Sequence, residues 1–586
     1  MSRTTRSTAL FLLTLGLGTL FLVAGWLTPF ETVRAQLDPL SGDGTADRYT
    51  PELHRRLQFA ALTCGLLMSA TAVAIRVLAP RLSGRVHGLL RRLVVDVRTL
   101  RVEITDTFRA NAVVLIGLTI AAAGLRACFL DLPMRYDEAH SWLEYASFPS
   151  YVIVAKYDDP NNHIFHNLLT HLASLVCGSD PWALRLPAFM AGVLLVPATY
   201  LLGTAFCDRR VGGFAALLAL ASSPLIDYSV NSRGYALLCL LTVLAWLAAL
   251  HWRQTRNLAA ALCLIACGVL GLWTVPTMLY SLLSIWAWLG WSAFRTKNDY
   301  GSEPDRSNWR GVAAIILLTA MGACVVYAPV LLLNAPADRI LGESSGRAER
   351  LNPMMEVASM FQGAASLLWR DVPLPLIGFF IAMIAAALVL PNPCRTDLRR
   401  VAIALALPFL LTGVLGIIPP PRSWLYMIPW LGVLTAAGTV SWLSWISIRR
   451  QSMVLGMVEV TTMFVLVTIL IARQPIRNSN ETGVFPAAHQ IILELKSELT
   501  PPLRIVAVSP ASSPLVYYAR REGLPDSLFA WPQSGDRIII ATAPGQTPAD
   551  ILHQLNMQIS AAEFHAMRIE PAFTLWERNP KAGAPE

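Results

Sequence analysis

The sequence predicts a polytopic α-helical membrane protein ending in a small extracytoplasmic α/β domain. Three observations carry that reading. Of the 586 residues, 54% are hydrophobic and only 15% charged, whereas a soluble domain carries about a quarter charged residues. Apolar runs of bilayer length recur as far as residue 472. Beyond residue 473 the pattern changes to short strand and helix signals in alternation.

The first apolar run follows Arg3 and Arg6 and extends to Leu27. It exceeds a signal-peptide core and lacks a strong cleavage signal, so it reads as a signal anchor. Hydropathy then places roughly thirteen spans, near 8–28, 57–79, 111–130, 184–206, 211–230, 234–252, 258–273, 275–294, 311–333, 373–391, 401–418, 425–447 and 453–472. With the N-terminus in the cytoplasm, residues 80–110 form a cytoplasmic loop. That loop holds Arg81, Arg85, Arg91, Arg92, Arg98, Arg101 and Arg109, a strong positive-inside signal. The later basic loops at 208–210, 251–257, 395–400 and 449–450 give the same parity. Residues 131–183, Ser232-Arg233, 334–372, 419–422 and everything after about 473 then lie outside the cytoplasm, and the chain belongs in the cytoplasmic (inner) membrane. Three units follow: 1–105, two spans and a basic loop; 106–475, a transmembrane core with outer loop 131–183; and 476–586, the extracytoplasmic domain.

The formal charge of +9 does not indicate a nucleic-acid groove. Only four of the 47 basic residues are Lys, and the arginines cluster in short loops between apolar runs. The nine cysteines lie mostly within apolar runs and include no paired CxxC motifs for zinc. None follows Cys394, so the C-terminal domain has no disulfide framework.

In the outer loop, 163–177 is apolar with three histidines and too short to span, which fits an interfacial helix. Loop 342–350 has a mobile composition. In the last domain, 485–499 reads as helix, 504–509 as strand, 514–522 as helix, 536–542 as strand, 547–557 as helix and 573–577 as a last strand. Asn480-Glu481-Thr482 fits a glycosylation acceptor.

The chemistry concentrates at the outer ends of spans. Asp137-Glu138-Ala139-His140 follows the 111–130 run, where charge is costly to hold. On a helix the two carboxylates point about 100° apart, so one acts as base while the other orients structure. Asp137 shares a face with His140. The bland reading is a charged helix start; the helicase reading of the same four residues fails because the chain has no P-loop. Asp158-Asp159-Pro160-Asn161-Asn162-His163 is a turn in which Asn161 or Asn162 caps a helix beginning near His163. His163 and His166, at i and i+3, fit either a divalent metal with nearby Asp, a solvated interfacial face, or a phosphate. Arg233, in Asn231-Ser232-Arg233-Gly234-Tyr235, and Arg422, after Pro419-Pro420-Pro421, are placed to grip phosphate or to snorkel. Arg185 reads as a helix-start anchor.

These words resemble the GT-C superfamily of membrane glycosyltransferases. They are most similar to glycosyltransferase family 39, which includes protein O-mannosyltransferases and the aminoarabinose transferase of lipid A. Tyr136-Asp137-Glu138-Ala139, Leu184-Arg185-Leu186-Pro187-Ala188 with Gly192, Tyr200-Leu201-Leu202-Gly203, Ser232-Arg233-Gly234-Tyr235 and Arg422 carry the likeness, which covers about 111–450. Relatives of the aminoarabinose type have Lys-Pro-Pro-Leu in the first outer loop, with the Lys on donor phosphate. This chain has Asp159-Pro160-Asn161-Asn162-His163 there, and His163 with Arg233 is expected to take over that grip.

The resemblance implies a cell-envelope glycosyltransferase, hexosyl or pentosyl, that moves a sugar from a polyprenyl-phosphate donor to a protein, lipid or glycan acceptor with inversion. ATP and nucleotide sugars are scarce outside the cytoplasm, which agrees with a membrane-soluble donor. The expected catalytic residues are Asp137, as base, and Glu138. The expected phosphate-binding residues are Arg233, His163 and Arg422, with His140, Asp159, Asn161, Asn162, His166 and Tyr235 around them. No cofactor is implied beyond the divalent metal that the His163 set would suit. Two other classes fit the same composition: a flippase for a lipid-linked glycan, which would keep its charges at mid-membrane, and a non-catalytic assembly partner with the same fold.

Overall fold

The computed structural model describes residues 3–37, 49–157, 159, 161–295, 306–333, 353–415, 419–446, 450–497, 503–533 and 535–578. Loop 342–350 and Asp158 lie outside them. Among the described residues, seven helical segments are long and apolar enough to cross a membrane, two of them (Pro51–Val73 and Gly88–Ala127) within one continuous helix, or eight if one bent pair is counted as a span. Shorter apolar helices such as Leu258–Thr274 and Leu374–Val389 occupy other expected spans. The bent pair is Arg209–Ala221 with Ser223–Ser229, meeting at 62°. The break falls at Ser222, and Pro224 just beyond it withholds a backbone donor that a continuous helix would need.

The largest departure from expectation lies near the N-terminus. Pro51–Ala127 is one helix of 77 residues, about 115 Å of rise. The expected cytoplasmic loop 80–110 is therefore helical, and the expected unit boundary at 105 falls inside a continuous element. Its Arg and Leu residues are good helix formers, and extending a helix is easy once both flanks are helical.

The basic segments nevertheless gather at one end of the bundle. Arg92 Nη2 donates to Arg256 O (2.9 Å) and Asn257 Nδ2 to Asp96 O (3.0 Å). Arg253 makes a forked pair with Asp397 at 2.9 and 2.8 Å. Between the two ends runs an aromatic core in which Phe206, Trp246, Trp288 and Trp430 pack on one another. Gly438 lets its helix approach Leu374–Val389 so closely that a Cβ would sit 1.7 Å from Met383 O. A disulfide joins Cys207 to Cys394, with Cα atoms 5.5 Å apart.

The C-terminal domain is a four-stranded sheet of order β1-β2-β4-β3: β1 (Leu503–Val506), β2 (Arg537–Thr542), β3 (Phe564–Glu570) and β4 (Phe573–Arg578). β1 and β2 are parallel, with Ile505 opposite Ile539, and β4 is antiparallel to both β2 and β3. Helices Ala488–Ser497, Ser512–Arg521 and Pro548–Gln554 stand where the pattern places them. β3 was not expected. It has few β-branched residues, and its pairing with β4 across the two-residue turn at Pro571-Ala572 is what makes it a strand.

This domain is not a separate body. Its apolar core includes Met134, Ala139, Leu143 and Leu184 of the membrane core. Tyr517 donates to Ser179 O (2.6 Å), Met134 N–H donates to Tyr518 Oη (3.1 Å), and Arg521 pairs with Asp180 (2.7 Å). The domain thus packs behind the short helix Tyr136–Ser141 that carries Asp137 and Glu138.

Candidate functional site

The site is organised around a buried carboxylate with both oxygens engaged. Glu138 is 1% exposed. Its Oε1 accepts from Arg185 Nε (2.8 Å) and Ser232 N–H (2.6 Å), and its Oε2 from Arg185 Nη2 (2.7 Å) and Arg135 N–H (3.0 Å). Arg185, itself fully buried, also donates to the carbonyls of Leu130, Leu132 and Pro133. Burial acts to raise the Glu138 pKa, but Arg185 and Arg135 outweigh it and hold the carboxyl below its usual range. The expectation that Glu138 is catalytic is corrected: both oxygens are spent on fixing the backbone before Asp137 and before Arg233. Arg185 is the anchor the sequence indicated.

Asp137 points the other way, as the helical offset requires. Its Oδ2 lies 3.7 Å from Arg233 Nη2 and 3.7 Å from Arg422 Nη1. Its backbone is held from outside the helix, because Tyr136 N–H donates to Gly483 O (2.8 Å) and Asp137 N–H to Thr482 O (3.0 Å). The Asn480-Glu481-Thr482 word therefore belongs to a strap that seats the Asp137 helix, and Thr482 Oγ1 accepts from Asn231 Nδ2 (3.1 Å). Gly483 is needed there: its φ is +73°, and an added Cβ would sit 2.8 Å from Tyr136 Cβ. Gly483→Ala is expected to destabilise the protein by about 1–2 kcal/mol. Thermal unfolding in detergent checks this.

Arg233 is 1% exposed. It donates to Ser141 Oγ (3.0 Å) and to Asn161 Oδ1 (2.7 Å). His163 completes the cluster. Gly234 N–H, which can only donate, reaches His163 Nδ1 at 2.8 Å, so the ring proton of the neutral imidazole is assigned to Nε2. Burial, then the charges of Arg233, His166 and Arg422, push the His163 pKa well below the imidazole range. Nε2–H then stands 3.5 Å from Arg233 Nη2: two donors face the same space and neither accepts from the other. Among the described residues, the Nε atoms of Arg233 and Arg422 are also buried without a hydrogen-bond partner. An anion is what such donors lack. The Tyr235 ring lies under both guanidiniums, 5.9 Å from Arg233 and 5.7 Å from Arg422, and meets His163 edge-on at 5.0 Å.

No protein-family model matches the chain, and no curated protein matches it. Among solved structures it is similar to ArnT from Cupriavidus metallidurans in the apo state, with TM-score 0.51 and 14% identity over 82% of this chain and 100% of that one. It is equally similar to ArnT from the same organism bound to undecaprenyl phosphate, with TM-score 0.51 and 16% identity over 81% and 99%. The chain has the GT-C fold. The archaeal oligosaccharyltransferase AglB from Archaeoglobus fulgidus, in complex with an inhibitory peptide and a dolichol-phosphate, matches less well, with TM-score 0.41 and 14% identity over 70% and 64%.

Within this GT-C fold the remaining expected residues divide. Asn161 and Tyr235 touch Arg233, and His140 pairs with Asp159 at 3.5 Å. Asn162 does not reach the cluster: it is buried, donates to Ile153 O and Lys156 O, and accepts from Asn167. Neither Asn161 nor Asn162 caps the outer-loop helix, which is Ile164–Cys177 with His163 at its N-cap position. His166 is fully buried beside Thr170. Among the described residues, no three His, Cys, Asp or Glu side chains come together as a metal site.

Sequence reasoning missed Asp227, Arg135 and Arg370. Asp227 is 1% exposed and accepts from Arg135 Nη2 (2.6 Å), Arg370 Nη2 (2.8 Å) and Ser479 Oγ (2.8 Å). A lone carboxylate inside the apolar run Pro224-Leu225-Ile226-Asp227 was a usable signal.

Proposed function

We propose that this protein transfers a sugar from a polyprenyl-phosphate donor to an acceptor hydroxyl on the extracytoplasmic side of the membrane, with inversion. One observation supports the reading above the others: the Asp137 carboxylate stands between the buried guanidinium of Arg233 and the half-buried guanidinium of Arg422, with the neutral imidazole of His163 beside Arg233. Asp137 takes the proton of the acceptor hydroxyl. Arg233, Arg422 and His163 Nε2–H receive the charge that collects on the departing lipid phosphate. A phosphate leaves without a general acid, so one base suffices for direct displacement, and displacement inverts the anomeric carbon. The likeness to ArnT bound to undecaprenyl phosphate agrees with a lipid-linked donor.

The outward placement rests on the arginine loops that gather at the opposite end. With that end in the cytoplasm, Cys207 and Cys394 are expected as a reduced dithiol in the cell. Against a flippase, the cluster lies at helix ends and in a loop, not at the middle of the spans.

The test is product formation. Full-length protein in lipid vesicles, given labelled undecaprenyl-phosphoryl sugar and a cell-envelope acceptor fraction, should release undecaprenyl phosphate and form a new glycoside. Arg233→Ala should reduce that release by about 10²–10³-fold and weaken undecaprenyl phosphate binding. Movement of the lipid across the vesicle without glycoside would show a flippase instead.

A further inference from the structure

The proton taken up by Asp137 needs a way out, and the groups around Asp137 limit where it can go. Ser141 and Asn161 are engaged by Arg233, and Glu138 is sealed. Asp137 Oδ2 stands 3.7 Å from both Arg233 and Arg422, and the carboxylate must be restored before the next turnover.

One titratable group stands on the same helix face a turn further on. His140 is three residues after Asp137 within Tyr136–Ser141. Its ring stacks on Tyr136 (centroids 5.9 Å apart, 10° between planes) and meets the edge of Tyr145 (6.3 Å, 83°). Its Nε2 faces Asp159 Oδ2 at 3.5 Å. Asp159 in turn accepts from Asn161 N–H (2.8 Å), and the Asn161 side chain holds Arg233. The His140 hydrogen bond, against the effect of burial, and the Asn161 N–H keep Asp159 below the usual carboxylate range. Asp159 therefore stays anionic as a counter-charge for imidazolium. The pair also leads outward, since side-chain exposure rises from 14% at Asp137 to 24% at His140 and 45% at Asp159.

We propose that His140, oriented by Asp159, relays the acceptor's proton from Asp137 to water. The relay rests on the transferase reading above. The acceptor oxygen forms its bond to the anomeric carbon, and the carbon–oxygen bond to phosphate breaks with its electron pair remaining on phosphate. The hydroxyl proton passes to the Asp137 carboxylate, then to His140 as imidazolium beside anionic Asp159, then to water. Asp137 and His140 end the cycle as they began. His140 acts through Asp137 and does not itself touch the reacting atoms. The charged and titratable groups facing this path are Asp137, Asp159, Arg233, Arg422, Tyr136 and Tyr145.

Two variants in the vesicle assay test it. His140→Gln keeps a planar polar side chain that cannot carry a proton; turnover should fall by about 10²-fold, with undecaprenyl phosphate binding and donor KM unchanged. His140→Ala should be equally slow and regain activity when imidazole is added to the medium, a rescue that a purely structural role would not give. A His140→Gln enzyme within a few-fold of wild type overturns the relay, as does a slow His140→Ala enzyme indifferent to imidazole. Wild-type protein that releases no undecaprenyl phosphate overturns the transferase reading, and the relay with it.

Discussion

Asp137→Asn is expected to abolish transfer while leaving the protein folded, inserted and able to bind lipid phosphate. The substitution keeps the shape of the side chain and removes its ability to accept a proton. Loss of a general base costs about 10²–10⁴-fold in turnover, which would leave activity near background. Donor binding should move the other way. Asp137 Oδ2 lies 3.7 Å from both Arg233 and Arg422; on the proposed reading it competes with donor phosphate for them, so neutralising it frees both guanidiniums and undecaprenyl phosphate should bind as tightly or more tightly. Turnover of labelled undecaprenyl-phosphoryl sugar and equilibrium binding of undecaprenyl phosphate, measured on the same preparation, separate the two effects. An Asp137→Asn enzyme with near-normal turnover would remove Asp137 from the chemistry.

The groups that make this prediction possible were legible in the sequence because the membrane makes them expensive. Asp137, Arg233 and Arg422 stand beside apolar runs, and nothing local there repays their charge. The structure brings them together from three elements: the helix Tyr136–Ser141, the turn before Tyr235–Thr255, and the start of the 3₁₀ segment Pro421–Met427. Sequence could not separate the roles of Asp137 and Glu138 beyond saying that they point apart. The separation depends on Arg185, 47 residues later, and on the Ser232 backbone, neither of which leaves a local signal. His163 was expected to share a phosphate grip with Arg233 and stands beside it, but its tautomer depends on a single N–H, from Gly234. Asn162 looked like its neighbour Asn161, yet the turn sends one side chain to Arg233 and the other into the loop's own backbone. The spans were legible as apolar runs, but hydropathy cannot tell a loop between two helices from a continuation of one. The 77-residue helix Pro51–Ala127 is the result.

Glu138→Ala is expected to have the largest effect on stability of any substitution in the site, through a different route from Asp137→Asn. Removing the carboxylate leaves the fully buried Arg185 guanidinium without its counter-charge, and the N–H groups of Arg135 and Ser232 without acceptors. Breaking a buried pair from one side costs about 3–5 kcal/mol, a large share of the roughly 5–15 kcal/mol that holds a typical fold. The folded-state pKa of Glu138 is depressed, which fixes the sign of the pH dependence. Its contribution is fully present above the unfolded carboxylate value of about 4.3 and is lost as pH falls below that, through the folded value. The difference in thermal unfolding between wild type and Glu138→Ala should therefore be widest near neutral pH and shrink in acid. Activity should fall as well, because the same carboxylate ties Ser232, and so Arg233, to the segment that presents Asp137. An Asp137→Asn protein should keep the wild-type unfolding temperature where Glu138→Ala does not. A Glu138→Ala protein that unfolds with wild type across the pH range would mean that Arg185 is held by its three backbone carbonyls alone.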